Sequence, residues 1–178
     1  GNVYPGAQIP FGGIQISPDT DSRFYDAASG YKYNHLTLMG FSLTHLSGTG
    51  IPDLGDFLFI PGTGEMKLEP GTHEDPDQGY RSRYSHDKEW ASPNYYAVEL
   101  ADYGVKAEMT SGVRSGMFRF TYPESDNAFI MIDMNHTLWQ SCEWSNLRMI
   151  NDSTITGYKL VKGWGPERHV YFTATFSK

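Results

Sequence analysis

Small polar residues and glycines crowd into Gly40-Phe-Ser-Leu-Thr-His-Leu-Ser-Gly-Thr-Gly50, which runs on through Ile51-Pro-Asp-Leu-Gly-Asp56. No helical or strand period fits this stretch. Glycines 48, 50 and 55 let a backbone turn sharply, or approach another surface where a Cβ would clash. An imidazole (His45), hydroxyls (Ser47, Thr49) and a carboxylate (Asp53) beside such turns can hydrogen-bond a polar ligand, and binding residues concentrate on loops held by a rigid scaffold. The competing reading is an elaborate turn whose Ser, Thr and Asp bond their own backbone. Trp164, between Gly163 and Gly165, is the other lead. A ring in a glycine turn can stack on the apolar face of a sugar or plug a domain interface. Trp90, Trp139 and Trp144 read as core or loop packing.

Other constellations are weaker. Asp19 with Asp21, Asp53 with Asp56, and Glu74, Asp75 and Asp77 offer oxygen atoms to a hard cation. Asp75-Pro-Asp-Gln-Gly79 faintly echoes a calcium loop, but His86 stands where its bidentate Glu should fall. The six His residues show no paired spacing and Cys142 is the sole cysteine, so no zinc site or internal disulfide is expected. Leu46-Ser-Gly-Thr49 lacks the Gly-x-Ser-x-Gly elbow of a serine nucleophile. Pro61-Gly-Thr-Gly64 has no Lys or helix to receive a phosphate and reads as a turn.

These residues need a scaffold, and the composition points to β-structure. Ten Phe, twelve Tyr, 19 Gly and 10 Pro in 178 residues favour strands and turns over a helical bundle. A net charge of -7 argues against a nucleic-acid surface. Nothing in the sequence is long and apolar enough to span a bilayer. Alternation places strands at 13–17, 56–60 (stopped by Pro61-Gly62), 95–101, 105–110, 117–122, 128–134, 154–161 and 169–176, with a hairpin at Asp102-Tyr-Gly104. The apolar run 128–134 reads as a strand buried on both faces, and 105–110, 118–122 and 128–134 are expected near the centre of the fold. Only Asn34 to Met39 reads as a helical turn. The fold class is all-β: a two-sheet antiparallel sandwich, one domain over 1–178. Two segments, 18–54 and 61–94, carry no persuasive strand, yet their aromatic residues predict ordered loops.

Several segments together resemble one family, the glycoside hydrolase family 92 exo-α-mannosidases. Asn2-Val-Tyr-Pro-Gly-Ala7, Pro10-Phe-Gly12 and Gln15-Ile-Ser-Pro-Asp-Thr20 look like its opening motif. Ser29-Gly-Tyr-Lys-Tyr33, the His45-Leu-Ser-Gly-Thr-Gly50 segment and Asp53-Leu-Gly-Asp56 follow in the family's order. Gly163-Trp164 and His169-Val-Tyr-Phe172 match its closing pattern. Leu43 departs from it, standing where many members have a second His, and Ile51-Pro52 replaces smaller residues. The resemblance implies an N-terminal β-sandwich (galactose-mutarotase or jelly-roll-like) docked on a C-terminal (α/α)6 domain. It also implies calcium-dependent removal of terminal, α-1,2-linked mannose with inversion, outside the cell or in the periplasm. The acid, the base and most calcium ligands belong to the helical domain, so no catalytic or metal-ligating residue is assigned here. Phe11, Gly12, His45, Ser47, Gly48, Thr49, Gly50, Asp53 and Trp164 are the expected substrate-binding residues. The abrupt ends of the chain fit a piece of a longer polypeptide. The alternative is a free-standing carbohydrate-binding module. Tyr31, Tyr33, Phe41 and Trp164 are expected on an exposed aromatic face turned to the partner domain.

Overall fold

The computed structural model describes residues 2–22 and 24–177. Thirteen strands follow in order: β1 (Ser17–Asp19), β2 (Thr37–Leu38), β3 (Gly40–Ser42), β4 (Leu58–Thr63), β5 (Ser82–Arg83), β6 (Glu89–Ser92), β7 (Tyr95–Leu100), β8 (Val105–Ser111), β9 (Gly116–Thr121), β10 (Ala128–Asp133), β11 (Ser141–Asn151), β12 (Thr154–Lys162) and β13 (Arg168–Thr175). They form antiparallel sheets of order β1-β3-β4-β10, β6-β7-β8-β9 and β11-β12-β13, with a small β2-β5 pair. The architecture is a β-sandwich. Among the described residues helix is confined to short 3-10 turns at Phe24–Ala27, Pro76–Gln78 and His86–Lys88.

Aromatic alternation joins the layers. Phe59 on β4 meets Phe118 of β9 and Phe172 of β13, with ring centroids 5.1 and 5.9 Å apart. Phe41 on β3 reaches both Phe118 and Phe120. The opposite face of β4 buries Leu58 and Ile60 with Met39 and Tyr80. Because successive side chains of a strand point to opposite faces, β4 serves two cores, and one sheet holds both halves of the molecule together.

The structure corrects several expectations. Residues 13–17 make only a bridge, Ala7 to Ile16, before β1 begins at Ser17. Pro61-Gly62 does not stop β4, which runs to Thr63. The β3 contact with β4 ends at Phe41 opposite Phe59, so no partner from β3 reaches the Pro61 position, while Gly62 leaves room for the Phe129 ring. Within residues 34–39 the structure forms β2 (Thr37–Leu38), not a helical turn. Among the described residues β10 is half-exposed and pairs only with β4, so it lies at an edge; β9 likewise pairs only with β8. The longest strand, β11, escapes sequence reading because nearly all of its residues are exposed and no face is consistently apolar. Trp90, Trp139 and Trp144 are about half exposed rather than buried in the core. Of the four aromatics expected at a bare face, Tyr33 and Trp164 are exposed, whereas Tyr31 and Phe41 are buried in the core.

Gly157 on β12 shows how closely the sheets are fitted. A Cβ there would lie 2.0 Å from the Phe172 ring, which Phe57 and Phe59 hold in place. Gly157→Ala should destabilise the fold by about 1–3 kcal/mol, the usual cost of overpacking. Urea unfolding that shows an unchanged midpoint would contradict this packing.

Candidate functional site

Backbone strain gathers at one place. Leu54 (φ 72), Gly55 (φ 76) and Phe57 (φ 58) occupy the left-handed region within four residues, and Trp139 (φ 75) joins them across the fold. Leucine, phenylalanine and tryptophan rarely adopt this conformation, which costs on the order of 1–3 kcal/mol each. The two strained segments touch: Leu138 donates its amide to the Leu54 carbonyl at 2.9 Å, and a Cβ on Gly55 would strike Leu138. Such strain persists only where surrounding contacts over-determine it.

Asp53 and Asp56 supply those contacts. Asp53 is buried and accepts from the Leu54 amide (2.6 Å) and the Trp164 amide (3.1 Å). It thereby ties the strained loop to the Gly163–Trp164 turn, where a Cβ on Gly163 would lie 3.0 Å from Asp53 Oδ1 and 2.6 Å from Gln140. Trp164 stays 55% exposed and Trp139 52% exposed. Between these segments the Gln140 amide group is buried with no partner among the described residues. The structure thus holds two tryptophans open to solvent around a fixed carboxylate and an unsatisfied amide.

Asp56 sits deeper. Its carboxylate meets the fully buried Lys159 Nζ at 3.1 Å, Arg168 Nη1 at 2.5 Å and the Thr44 hydroxyl at 2.7 Å. Burial would raise this carboxyl, but Lys159 and Arg168 outweigh that and hold it below its ordinary value. Burial pulls Lys159 down, opposed by Asp56. Lys159 also donates to the His136 carbonyl at 2.6 Å, which leads to a second buried group. His136 Nε2 and His45 Nε2 each lie 2.8 Å from an Asp19 oxygen, and His45 Nδ1 lies 2.7 Å from the Gln15 carbonyl. Burial alone would raise the Asp19 carboxyl; the charges and hydrogen bonds of His45 and His136 hold it below 3.8 instead.

The expected binding residues divide by place. Asp53 and Trp164 are joined directly. His45 is internal, with both ring nitrogens engaged, so it positions its loop from within rather than facing a ligand. Ser47, Gly48 and Thr49 are exposed and Gly50 is half-buried; the Gly48 amide bonds the Asn2 carbonyl and Thr49 bonds the Ile51 carbonyl. Gly48 and Gly50 have positive φ with open space around them. Phe11 projects fully into solvent from a left-handed turn closed by Gly12 to the Ile9 carbonyl. Gln15 connects that turn to His45 by bonding the Gly12 carbonyl at 2.7 Å. Sequence reasoning named Asp19 only as a possible cation ligand and missed His136, Lys159, Arg168 and Gln140. Lys159 alone left a signal: period-two parity sets it on the same face as Gly157 and Val161.

Asp21, His35 and His73 also bring three donor atoms within metal-binding reach of one another. Two imidazoles and one carboxylate do not suit calcium, which takes six to eight oxygen ligands. Calcium therefore does not fit this group.

Asp19 and Asp56 set an acid limit. Each has a folded pKa below its ordinary 3.8, so the unfolded chain binds more protons as pH falls through that value. Their contribution is fully present above about pH 4 and is lost progressively below it, through the folded values. Melting temperature against pH should fall steeply below 4, and Asp19→Asn should flatten that limb while lowering stability at neutral pH. Removing one partner of a buried pair costs about 3–5 kcal/mol, so Asp56→Ala should leave little folded protein at 37 °C, as circular dichroism melting will show.

Comparison with known proteins agrees with this frame. The profile described as "Glycosyl hydrolase family 92 N-terminal domain" matches residues 1–178. A solved structure titled "Structure of the gh92 family glycosyl hydrolase ccman5" superposes with a TM-score of 0.76 at 27% identity, covering 97% of this chain and 24% of that one. An "Uncharacterized secreted glycosidase" of Arthroderma benhamiae is 28% identical over 128 residues, 71% of this chain and 16% of that protein's length. The chain therefore spans about a quarter of the solved relative and a smaller share of the fungal one. It belongs to the N-terminal domain family of the glycosyl hydrolases of family 92.

Proposed function

We propose that the polypeptide carrying this chain is an exported α-mannosidase that removes terminal, α-1,2-linked mannose from glycans with inversion. This domain shapes one wall of the substrate pocket and docks on a helical catalytic domain. The observation that carries the reading is the Asp53–Trp164 junction, where a buried carboxylate holds the backbone amide of a tryptophan with an exposed indole, beside strained backbone. A tryptophan face stacks on the apolar C–H side of a sugar ring, and pre-set orientation lowers the entropy lost on binding. The fungal relative's description as secreted supports export.

Catalysis falls to groups outside this chain. Inverting hydrolysis needs one carboxylic acid that still holds a proton near working pH and one carboxylate about 6.5–9.5 Å away to activate water. Asp19 and Asp56 are buried, and their partners (His45 and His136 for Asp19, Lys159 and Arg168 for Asp56) hold both carboxyls below the ordinary value, which suits neither to keep a proton near working pH. Both Asp53 oxygens serve backbone amides. Calcium, on this reading, takes its oxygen ligands mostly from the helical domain.

The test is turnover of α-1,2-mannobiose by the intact polypeptide, by its Trp164→Ala and Trp164→Phe variants, and by residues 1–178 alone. The short chain should hydrolyse nothing. Trp164→Ala should lower kcat/KM roughly tenfold, about 1.4 kcal/mol, chiefly through KM, with unchanged melting; Trp164→Phe should recover part of the loss. Unaltered KM in Trp164→Ala would remove the indole from the pocket, and hydrolysis by residues 1–178 would overturn the assignment of chemistry elsewhere.

A further inference from the structure

The long segments 18–54 and 61–94 meet at a cluster of imidazole and carboxylate groups that the proposed sugar site does not use. Asp21 follows β1, His35 precedes β2, and His73 stands between β4 and β5. One donor atom from each lies within 4.8 Å of the other two. The two imidazole rings are 4.0 Å apart, centroid to centroid, and tilted by 48°. His73 Nε2 lies 3.5 Å from Asp21 Oδ2. Donors held about 2.0–2.2 Å from one tetrahedral ion stand roughly 3.3–3.6 Å from one another. This pair therefore already has the spacing of two ligands. The side chains are enclosed, with exposures of 6% for Asp21, 13% for His35 and 18% for His73.

Both imidazoles are also oriented from behind. His73 Nδ1 lies 2.9 Å from Thr37 Oγ1. His35 has an oxygen at either nitrogen, Thr20 Oγ1 at 3.0 Å from Nδ1 and Asp26 Oδ2 at 3.2 Å from Nε2. A metal-bound histidine gives its other N–H to such an oxygen, which fixes its tautomer and the direction of its ring. Arg81 is the cation that could compete, since its Nη1 comes within 3.2 Å of His73 Nδ1. The two hydrogens of that nitrogen have oxygen acceptors, the Thr20 carbonyl at 2.8 Å and Thr37 Oγ1 at 2.9 Å. His73 Nδ1 is thus left to donate to Thr37, the tautomer in which Nε2 turns its lone pair toward Asp21.

We propose that Asp21, His35 and His73 bind one divalent ion of the zinc class, with water completing its shell. Two imidazoles and a carboxylate are a set that zinc accepts and calcium does not. The role is structural: an ion that binds only the folded form stabilises it, here by stapling the two long segments together. Its ligands come from three separate stretches, which is why no paired histidine spacing marks them in the sequence. Nothing in this site depends on sugar binding.

The test uses the intact polypeptide, stripped of metal, returned to a calcium buffer and titrated with Zn2+ or Co2+. One equivalent of Zn2+ should bind at micromolar concentration or below and raise the melting temperature, and Co2+ should show the intense visible absorption of a four-coordinate ion. His35→Gln and His73→Gln should each weaken that equivalent on the order of a hundredfold and abolish the zinc-dependent rise in melting. A second measurement needs no variant: in the wild type, Zn2+ should protect His35 and His73 from diethylpyrocarbonate while the remaining histidines react as before. Retention of the equivalent in both folded variants, or unchanged reactivity of both histidines at saturating Zn2+, would overturn the proposal. So would uptake only at millimolar Zn2+, the mark of an adventitious ion only, or no uptake at all.

Discussion

Three charged side chains from distant parts of the sequence meet, two of them fully buried: Asp56 and Lys159, with Arg168. Lys159 belongs to β12 and Arg168 opens β13, while Asp56 stands two residues before β4. This contact fastens the third sheet to the first. A buried ion pair is a poor source of net stability, because desolvation consumes much of the Coulombic gain. It is a strict source of register. If β12 slipped by one residue along β13, Lys159 would leave the inner face and its charge would lose Asp56. The phenylalanine contacts between Phe57, Phe59 and Phe172 are less particular, since a ring tolerates small displacement, whereas an unpaired buried charge does not.

The same junction governs the strained loop. Asp56 accepts from the Thr44 hydroxyl, Gly55 donates its amide to the Thr44 carbonyl, and Lys159 passes to the His136 carbonyl. From there His136 reaches Asp19, and Asp19 reaches His45. A continuous line of buried polar contacts therefore runs from β13 to the exit of β3, with the left-handed residues Leu54, Phe57 and Trp139 set along it. Each link needs its neighbour, because a half-satisfied network in low dielectric costs more than an apolar core. The 40–56 loop rests on this line, and its conformation is a consequence of it.

How much of this was legible follows from which pattern each residue obeys. The strands of 95–101, 105–110, 117–122, 128–134, 154–161 and 169–176 alternate or run apolar, and the structure places strands at all of them. β11 was hidden because it has no consistently buried face to enforce a hydrophobic period. The end of β4 was hidden because Pro61 ordinarily breaks a strand, and only the short reach of β3 lets it stay. In the site, glycines and local turn chemistry exposed the 40–56 segment and the Gly163–Trp164 turn. The buried network could not be read, since Asp19 lies 26 residues from His45 and 117 from His136. Contacts at such separations are set by sheet packing, and one sequence carries no periodic trace of them.

That division bears on what His45 does. Its place in a glycine-rich loop suggests a ligand contact, yet its ring is enclosed by Gln15, Asp19 and Ser42. Tyr4 lies 5.1 Å from it, and a Cβ on Gly30 would come within 3.2 Å of its Cδ2. Orientation by several fixed partners is how a supporting residue holds a binding loop in one geometry. His45 therefore belongs with Asp19 and His136 in the interior beneath the 40–56 loop, while Ser47, Gly48, Thr49 and Trp164 are exposed. A polar residue in a loop marks the neighbourhood of a site, while burial decides whether it faces the ligand or the scaffold.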